Sequence, residues 1–132
     1  MTDGGPVDID AAEAASGESE VLAAARAYED ALAAGDTEAA SAWFATDPRT
    51  SRFGPDGSQL DLDAVRALRA SAAPTPPATW VHESARTLAP GAVLHLAILE
   101  RGGTTVQRTQ LWTRTEEGWR IAHAHVSNPR SP

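Results

Sequence analysis

The chain has 132 residues, and its 18 acidic and 11 basic side chains give a formal net charge of −7. This length fits one domain with its own hydrophobic core and leaves no room for a second. The sequence contains no cysteine, which excludes disulfide frameworks, thiol nucleophiles and zinc or iron–sulfur sites with cysteine ligands.

Acidic side chains are concentrated at the start of the chain, where residues 1–20 carry no basic residue. A segment rich in Gly, Ala and acidic residues cannot bury enough apolar surface to offset the entropy of ordering it. We therefore predict an acidic disordered tail over residues 1–16 and one folded domain over residues 17–132. The rest of the chain is nearly neutral, so neither nucleic acid nor a membrane is expected as a partner. No signal peptide or membrane-spanning run is visible, which predicts a cytoplasmic protein.

Helix signals dominate the first half of the predicted domain. Residues 21–34 place apolar side chains at helical spacing, and Gly35 is a suitable residue to end that helix. A short second helix follows, with Asp36 as a candidate cap. A strand over residues 50–53 and a third helix over residues 61–72 complete this half.

The second half contains four strand-like runs. They cover residues 80–88, 92–100, 105–115 and 119–126, and turn-forming Gly, Pro and Glu residues separate them. Helices followed by an antiparallel meander predict an α+β fold. Three N-terminal helices packed on a curved antiparallel sheet would enclose a cone-shaped pocket, which suits a small ligand.

The last hairpin brings several polar side chains onto one face. A two-residue loop at positions 116 and 117 places three pairs of residues opposite one another: Arg108 and His125, Gln110 and His123, and Trp112 and Ile121. Cross-strand partners project from the same face of a sheet. We therefore predict that Arg108, Gln110, Trp112, His123 and His125 bind a carboxylate or amide substrate. The alternative is that this face is open to solvent and that its histidines are merely hydrogen-bonded.

Metal-ligand spacing offers another interpretation of His123 and His125, because two imidazoles one strand period apart can bind one ion. A third ligand could then be His95 or His82. A two-residue match is weak evidence, and no carboxylate is indicated beside it, so we predict no metal site.

Two further residues have chemistry suited to an active site. Tyr28 is the only tyrosine, and it lies in the middle of the first predicted helix. Arg52 lies on the short strand before a turn, where a guanidinium can bind both oxygens of a carboxylate. The alternatives are a packing aromatic ring for Tyr28 and a surface ion pair for Arg52.

Three segments resemble the AtzH-like family of the nuclear transport factor 2-like (SnoaL-like) superfamily. They are AYEDALAAGD at 27–36, DPRTSRFG at 47–54 and QLWTRTEEGWRIAHAHVS at 110–127. The resemblance implies a cystatin-like α+β cone over the domain. It also implies a homodimer formed through the open face of the sheet.

The resemblance further implies a small-molecule enzyme without a cofactor. The best-described family activity acts on 1,3-dicarboxyurea and releases carbon dioxide to leave allophanate. The family's proposed catalytic Tyr and Arg match Tyr28 and Arg52. Arg52 would then anchor a substrate carboxylate and Tyr28 would donate or relay a proton, while Gln110 and His125 would orient the substrate.

The chain departs from the family pattern at several positions. The family reads NLYG after the RFG block, but here Leu60 and Asp61 replace its Tyr and Gly. Ala72 stands where the third helix usually ends with an Arg, Arg108 replaces a Gln, and His123 replaces a small residue. These changes predict a reshaped pocket.

The leading hypothesis is therefore a decarboxylating lyase or hydrolase that acts on a small carboxylated urea or amide acid. A second hypothesis is a non-catalytic module, either a ligand-binding pocket or an accessory subunit of an amidase. A third is a SnoaL-like isomerase or cyclase, which needs an acid–base pair in a larger apolar cone.

Overall fold

The computed structural model of the chain describes residues 9–129. Residues 1–8, where much of the predicted tail falls, lie outside that range. Three helices and six strands make up the fold: α1 (Ala11–Ala34), α2 (Thr37–Ala42), β1 (Ser51–Gly54), β2 (Gly57–Gln59), α3 (Leu62–Ser71), β3 (Thr79–Ala89), β4 (Ala92–Arg101), β5 (Thr104–Thr115) and β6 (Gly118–Ser127). The predicted α+β class, with helices first and a curved sheet after them, is confirmed.

Helix α1 begins earlier than its apolar pattern predicts. Asp10 caps it by accepting a hydrogen bond from the Glu13 backbone N–H at 2.9 Å. The added turns are anchored to the sheet, because the Glu18 carboxylate accepts hydrogen bonds from the backbone N–H and the hydroxyl of Thr87. The predicted disordered tail is therefore wrong over residues 11–16, since tertiary contacts supply what the composition of this segment lacks. Gly35 ends the helix in the left-handed conformation, with φ of 70°, as predicted.

The six strands form one sheet in the order β2-β1-β6-β5-β4-β3. All neighbours are antiparallel except β1 and β6, which pair in parallel over residues 51–53 and 123–125. The predicted antiparallel sheet is thus wrong at this one junction. Turn signals constrain the direction of consecutive strands only, and they say nothing about two strands that are far apart in the chain.

A β-bulge interrupts the pairing of β5 with β6. The hairpin closes as predicted, and Trp112 lies opposite Ile121. Past Ala122 the register slips by one, so that Gln110 lies opposite Ala124. A one-residue slip moves the following side chains of a strand to the other face of the sheet. The predicted pairs of Arg108 with His125 and of Gln110 with His123 are therefore wrong.

The helices cover the inner face of the sheet and form the main core with it. Val21 and Tyr28 of α1, Val65 of α3 and Trp112 and Ile121 of the sheet are all buried there. Burial of such large apolar side chains is the main favourable contribution to folding. Within residues 9–129, no helix has both the length and the apolar character that a membrane crossing requires.

Candidate active site

A cavity of about 440 Å³ opens between the helices and the inner face of the sheet. Its walls come from α1 and α3, from the β1–β2 turn and from the inner sides of β5 and β6. This volume suits a small molecule. The polar groups of the wall include four arginines, a tyrosine and an amide: Arg52, Arg69, Arg101, Arg108, Tyr28 and Gln110.

Four of the predicted site residues meet in this one cavity. Tyr28 reaches it from α1, and its ring packs edge-on against Phe44 at 5.8 Å between centroids. Arg52 reaches it from β1, while Arg108 and Gln110 reach it from alternate positions of β5. Tyr28 and Arg52 are far apart in sequence, so only the folded chain shows that they share a site.

Arg52 is held in place by neighbours on its own hairpin. Its Nη1 donates to the Asp56 carboxylate at 2.8 Å and to the Gln59 amide oxygen at 3.1 Å. Gly54 leaves room for the guanidinium, because a Cβ there would stand 2.7 Å from Nη1. Burial by itself would raise the pKa of Asp56, but Arg52 outweighs that effect and lowers it. Asp56 is therefore ionised and offsets the charge of Arg52.

A buried carboxylate on α1 holds two of the other arginines. Glu29, next to Tyr28, is only 4% exposed. One of its oxygens accepts from Arg108 Nη1 at 2.8 Å, and both oxygens accept from Arg101. Burial by itself would raise the pKa of Glu29, but the hydrogen bond from Arg101 and the charges of both arginines lower it below its usual value. Glu29 is therefore ionised and fixes the two guanidinium groups.

Several buried donors around the cavity have no hydrogen-bond partner among the described residues. They are Nε and Nη2 of Arg108, Nε of Arg69, the side-chain nitrogen of Gln110 and the hydroxyl of Thr75. All four of these residues line the cavity. A buried donor without an acceptor costs about 1–3 kcal/mol. The arrangement therefore favours a ligand that brings acceptor oxygens, and the charge of the arginines favours an anion.

Trp112 supports this wall from behind. The predicted contact of Trp112 with substrate is not seen, because its side chain is fully buried and does not line the cavity. Its indole N–H donates to the Gln110 amide oxygen at 3.0 Å. That bond fixes the amide, whose nitrogen has no hydrogen-bond partner among the described residues.

His123 and His125 lie on the outer face of the sheet, away from the cavity. His123 Nδ1 is 2.8 Å from the Ser51 hydroxyl, and the Phe53 ring packs edge-on against both imidazoles. Burial, and the charge of His125 nearby, lower the pKa of His123. The structure therefore does not bring these two predicted site residues to the cavity, and the physical reason is the bulge at Ala122.

His95 and Glu83 form a second polar pair on the inner face of the sheet, on the strands next to Gln110. His95, directly opposite Gln110 on β4, shares a hydrogen bond of 2.8 Å with Glu83, whose other oxygen accepts from Arg26 at 2.9 Å. Burial lowers the pKa of His95, and this outweighs the raising effect of Glu83. His95 and the His123–His125 pair lie on opposite faces, so the metal site with His95 as third ligand does not form. Within residues 9–129, no three metal-ligating side chains cluster.

Sequence reasoning missed Glu29, Arg69 and Arg101 as site residues. The available signal was weak: Glu29 is an acidic residue at an inward position of α1, and Arg69 is a basic residue on the inward side of α3. Ala72, where the resemblance leads one to expect an arginine, lines the same cavity as Arg69. Arg69 lies one helical turn earlier and presents its charge from the same helix.

Comparisons with known proteins agree with this architecture. A family model described as AtzH-like matches residues 8–131. A solved protein of unknown function from Pectobacterium atrosepticum, of the DUF3225 family, is 26% identical; the match covers 88% of this chain and 93% of that one, with a TM-score of 0.80. A cystatin-like fold protein from Burkholderia xenovorans is 29% identical, with coverage of 86% and 92% and a TM-score of 0.79.

A more distant structure extends the likeness of fold. An NTF2-like superfamily protein from Salmonella enterica is 18% identical, with coverage of 89% and 94% and a TM-score of 0.74. At that identity the similarity concerns the fold alone. No curated protein matches the chain.

Proposed function

The chain belongs to the AtzH-like family, and we propose that it is a decarboxylating lyase or hydrolase that acts on a small carboxylated urea or amide acid. The reaction would take place in the cavity beside Tyr28 and Arg52 and would need no cofactor. NTF2-like folds serve many functions, so the proposal rests on the chemistry of the cavity together with the family.

One observation carries the proposal: the cavity is lined by an excess of buried positive charge with unpartnered donors. Four arginines surround it, while two carboxylates, Glu29 and Asp56, oppose them. Buried arginines are costly unless anions accompany them. A cavity of about 440 Å³ has room for a small acid, and its four arginines favour such an acid over the uncharged apolar ligand that an isomerase or cyclase of polyketides would need.

The chemistry needs a proton donor near a bound carboxylate. When an N-carboxylate loses carbon dioxide, the C–N bond breaks, its electron pair goes to nitrogen and nitrogen takes up a proton. The Tyr28 hydroxyl would supply that proton. The Arg108 guanidinium lies 5.6 Å from the centroid of the Tyr28 ring, so its charge would stabilise the phenolate until solvent returns the proton.

Arg52 would orient the reacting carboxylate. Because Asp56 offsets its charge, Arg52 can position this group without stabilising its full negative charge too strongly. That matters because the departing carboxylate becomes neutral carbon dioxide, and binding its charge tightly would favour the ground state over the transition state.

The test is turnover by site variants. We expect the wild-type chain to release carbon dioxide from 1,3-dicarboxyurea or from a member of a panel of ureido acids. Tyr28→Phe and Arg52→Ala should each lower kcat/KM by at least about a hundredfold, as expected for loss of a proton donor or an orienting group. Arg49→Ala is the matched control, because Arg49 lies in the same segment but is exposed and pairs with Asp47 on the surface.

Two results would contradict the proposal. If both variants kept wild-type turnover, Tyr28 and Arg52 would have no part in the reaction. If the acids bound but none was turned over, the chain would be a binding module or an accessory subunit of an amidase, and co-purification with an amidase would then be the next measurement.

A further inference from the structure

The positive charge around the cavity is unevenly distributed. Arg52 faces Asp56 at 2.8 Å, so this pair is close to neutral. Glu29 carries one negative charge for both Arg101 and Arg108, which leaves one positive charge on that group. Arg69 is 7% exposed and forms no ion pair within residues 9–129. Asp56 hydrogen-bonds to Arg52, and the charge of Arg69 acts on it only from a distance. The net positive charge that the two carboxylates leave therefore lies mainly on Arg69 and on the group that contains Arg108.

Three of the unpartnered nitrogens lie on the same two arginines. In Arg108 they are Nε and Nη2, and in Arg69 the buried one is Nε. Nε and Nη2 form the edge of a guanidinium that can bind both oxygens of one carboxylate. Nη1 of Arg108 donates to Glu29, so that edge has no hydrogen-bond partner among the described residues.

We propose that Arg69 and Arg108 form a second anion subsite, which holds the acid group that stays on the product while Arg52 orients the acid group that leaves. This inference rests on the proposed function and assigns the two acid groups of the substrate to different arginines. The two acid groups are assigned in this way because their charges change differently during the reaction. The retained group keeps its negative charge throughout the reaction and gains from an uncompensated guanidinium, whereas the departing group loses its charge.

The experiment compares acids with one and two carboxylates by isothermal titration calorimetry on the full chain. The probes are acetate, oxalate, malonate and succinate. We expect the best dicarboxylate to bind the wild-type chain at least about tenfold more tightly than acetate, as a second charge-assisted contact should allow. Arg69→Gln and Arg108→Gln should each remove that advantage.

Matched controls separate the subsite from the overall charge of the protein. Arg66→Gln changes an exposed arginine of α3, one turn from Arg69, and Arg114→Gln changes an exposed arginine of β5. Both should keep the dicarboxylate advantage within about twofold of wild type, since exposed charges act weakly at a distance. Arg108→Lys retains the charge but loses the planar edge, so it should weaken dicarboxylate binding even if Arg108→Gln fails to fold.

The outcomes distinguish this inference from the proposed function. A dicarboxylate advantage that survives Arg69→Gln, Arg108→Gln and Arg108→Lys would overturn the second subsite. So would acetate and dicarboxylates binding the wild-type chain equally well. In both cases an anion pocket would remain and the proposed function would stand. If no acid bound the wild-type chain at all, the proposed function would fail together with the inference.

Discussion

At the scale of single residues, Glu29 shows how a buried charge can serve a binding site. Removed from water, a lone carboxylate would become protonated. Here Arg101 and Arg108 each donate to it, so it stays ionised and in return fixes both guanidinium groups at the wall of the cavity. Its neighbour in sequence, Tyr28, faces the same cavity, so one turn of α1 supplies both a phenolic hydroxyl and the counter-ion of the arginines.

Replacing Glu29 tests this account at the level of stability. Glu29→Gln should lower the free energy of unfolding by about 3 kcal/mol at pH 7, because both arginines lose their buried counter-ion. The folded-state pKa of Glu29 lies below its ordinary value of 4.5. The stabilisation is therefore complete above that pH and is lost as the pH falls through the folded-state pKa.

Urea unfolding of wild type and Glu29→Gln between pH 7 and pH 3 measures the effect. The difference in the free energy of unfolding should shrink below pH 4.5. A difference that stayed constant down to pH 3 would show that ionised Glu29 contributes nothing to stability.

At the scale of secondary-structure elements, the bulge in β6 decides which side chains reach the cavity. Before the bulge, Ile121 faces the core; after it, Ala124 and Val126 line the cavity and His125 faces outward. An uninterrupted strand would have placed two imidazoles among the arginines, where each would add a polar group without a partner. The bulge instead leaves small and apolar side chains on this part of the wall, so the polar groups of the cavity come from β1, from the neighbouring strands and from the helices.

The outward position of the histidines predicts that they do not take part in ligand binding. The double variant His123→Ala/His125→Ala should bind small acids within about twofold of wild type, since neither imidazole lines the cavity. Calorimetric titration with malonate measures this, with Arg108→Gln as the variant that should lose affinity. A tenfold loss in the double variant would place the histidines back in the site.

The early start of α1 is a second property at this scale. Asp10→Ala should lower the free energy of unfolding by about 1 kcal/mol, because the side chain caps the helix at the Glu13 N–H. Asp10→Asn is the control, since asparagine caps equally well. Equal stability of Asp10→Ala and Asp10→Asn would show that the helix begins later in the chain.

At the scale of the whole molecule, a cavity rich in positive charge lies within a chain whose net charge is −7. The overall charge does not attract anions, so binding depends on the local arginines. Charges in a desolvated cavity act much more strongly than charges exposed to water, which salt also screens. The outer surface of the molecule therefore reveals little about its ligand.

The outer face of the sheet is the surface at which we propose a homodimer. Phe53, His125, Thr109 and Leu96 lie side by side across four strands there, and Phe53 and Leu96 are 38% and 40% exposed. A second copy of the chain would cover this row. Sedimentation equilibrium should give a dimer for wild type and a monomer for Leu96→Asp, because a charge would be buried without a partner.

Leu60→Asp is the control for that measurement. Leu60 is 70% exposed, but it lies in the loop between β2 and α3. This variant should remain a dimer. A monomeric wild-type chain would rule out the proposed interface.

Local rules of sequence determined much of this protein. The order of the helices and of the longer strands, the end of α1 at Gly35, the cap at Asp36 and the closing of the last hairpin all follow from a few neighbouring residues. Caps, turns and apolar periodicity act over less than two turns of helix or one hairpin, so they can be recognised without knowing the fold. Tyr28 and Arg52 were singled out by their chemistry and then matched by the resemblance, and the structure brings both into one cavity.

Only the tertiary structure decided the remainder of the site. Glu29 meets Arg101 and Arg108 across separations of 72 and 79 residues, and no local pattern marks such an ion pair. The bulge at Ala122 and the parallel pairing of β1 with β6 likewise depend on how distant segments pack. Register and buried charge pairs are set by the lowest free energy of the whole chain, since a single slip exchanges every buried side chain for its neighbour. Most elements were therefore predictable from sequence, but the short strand β2 and the early start of α1 were not. The side of the sheet that faces the cavity was not predictable either.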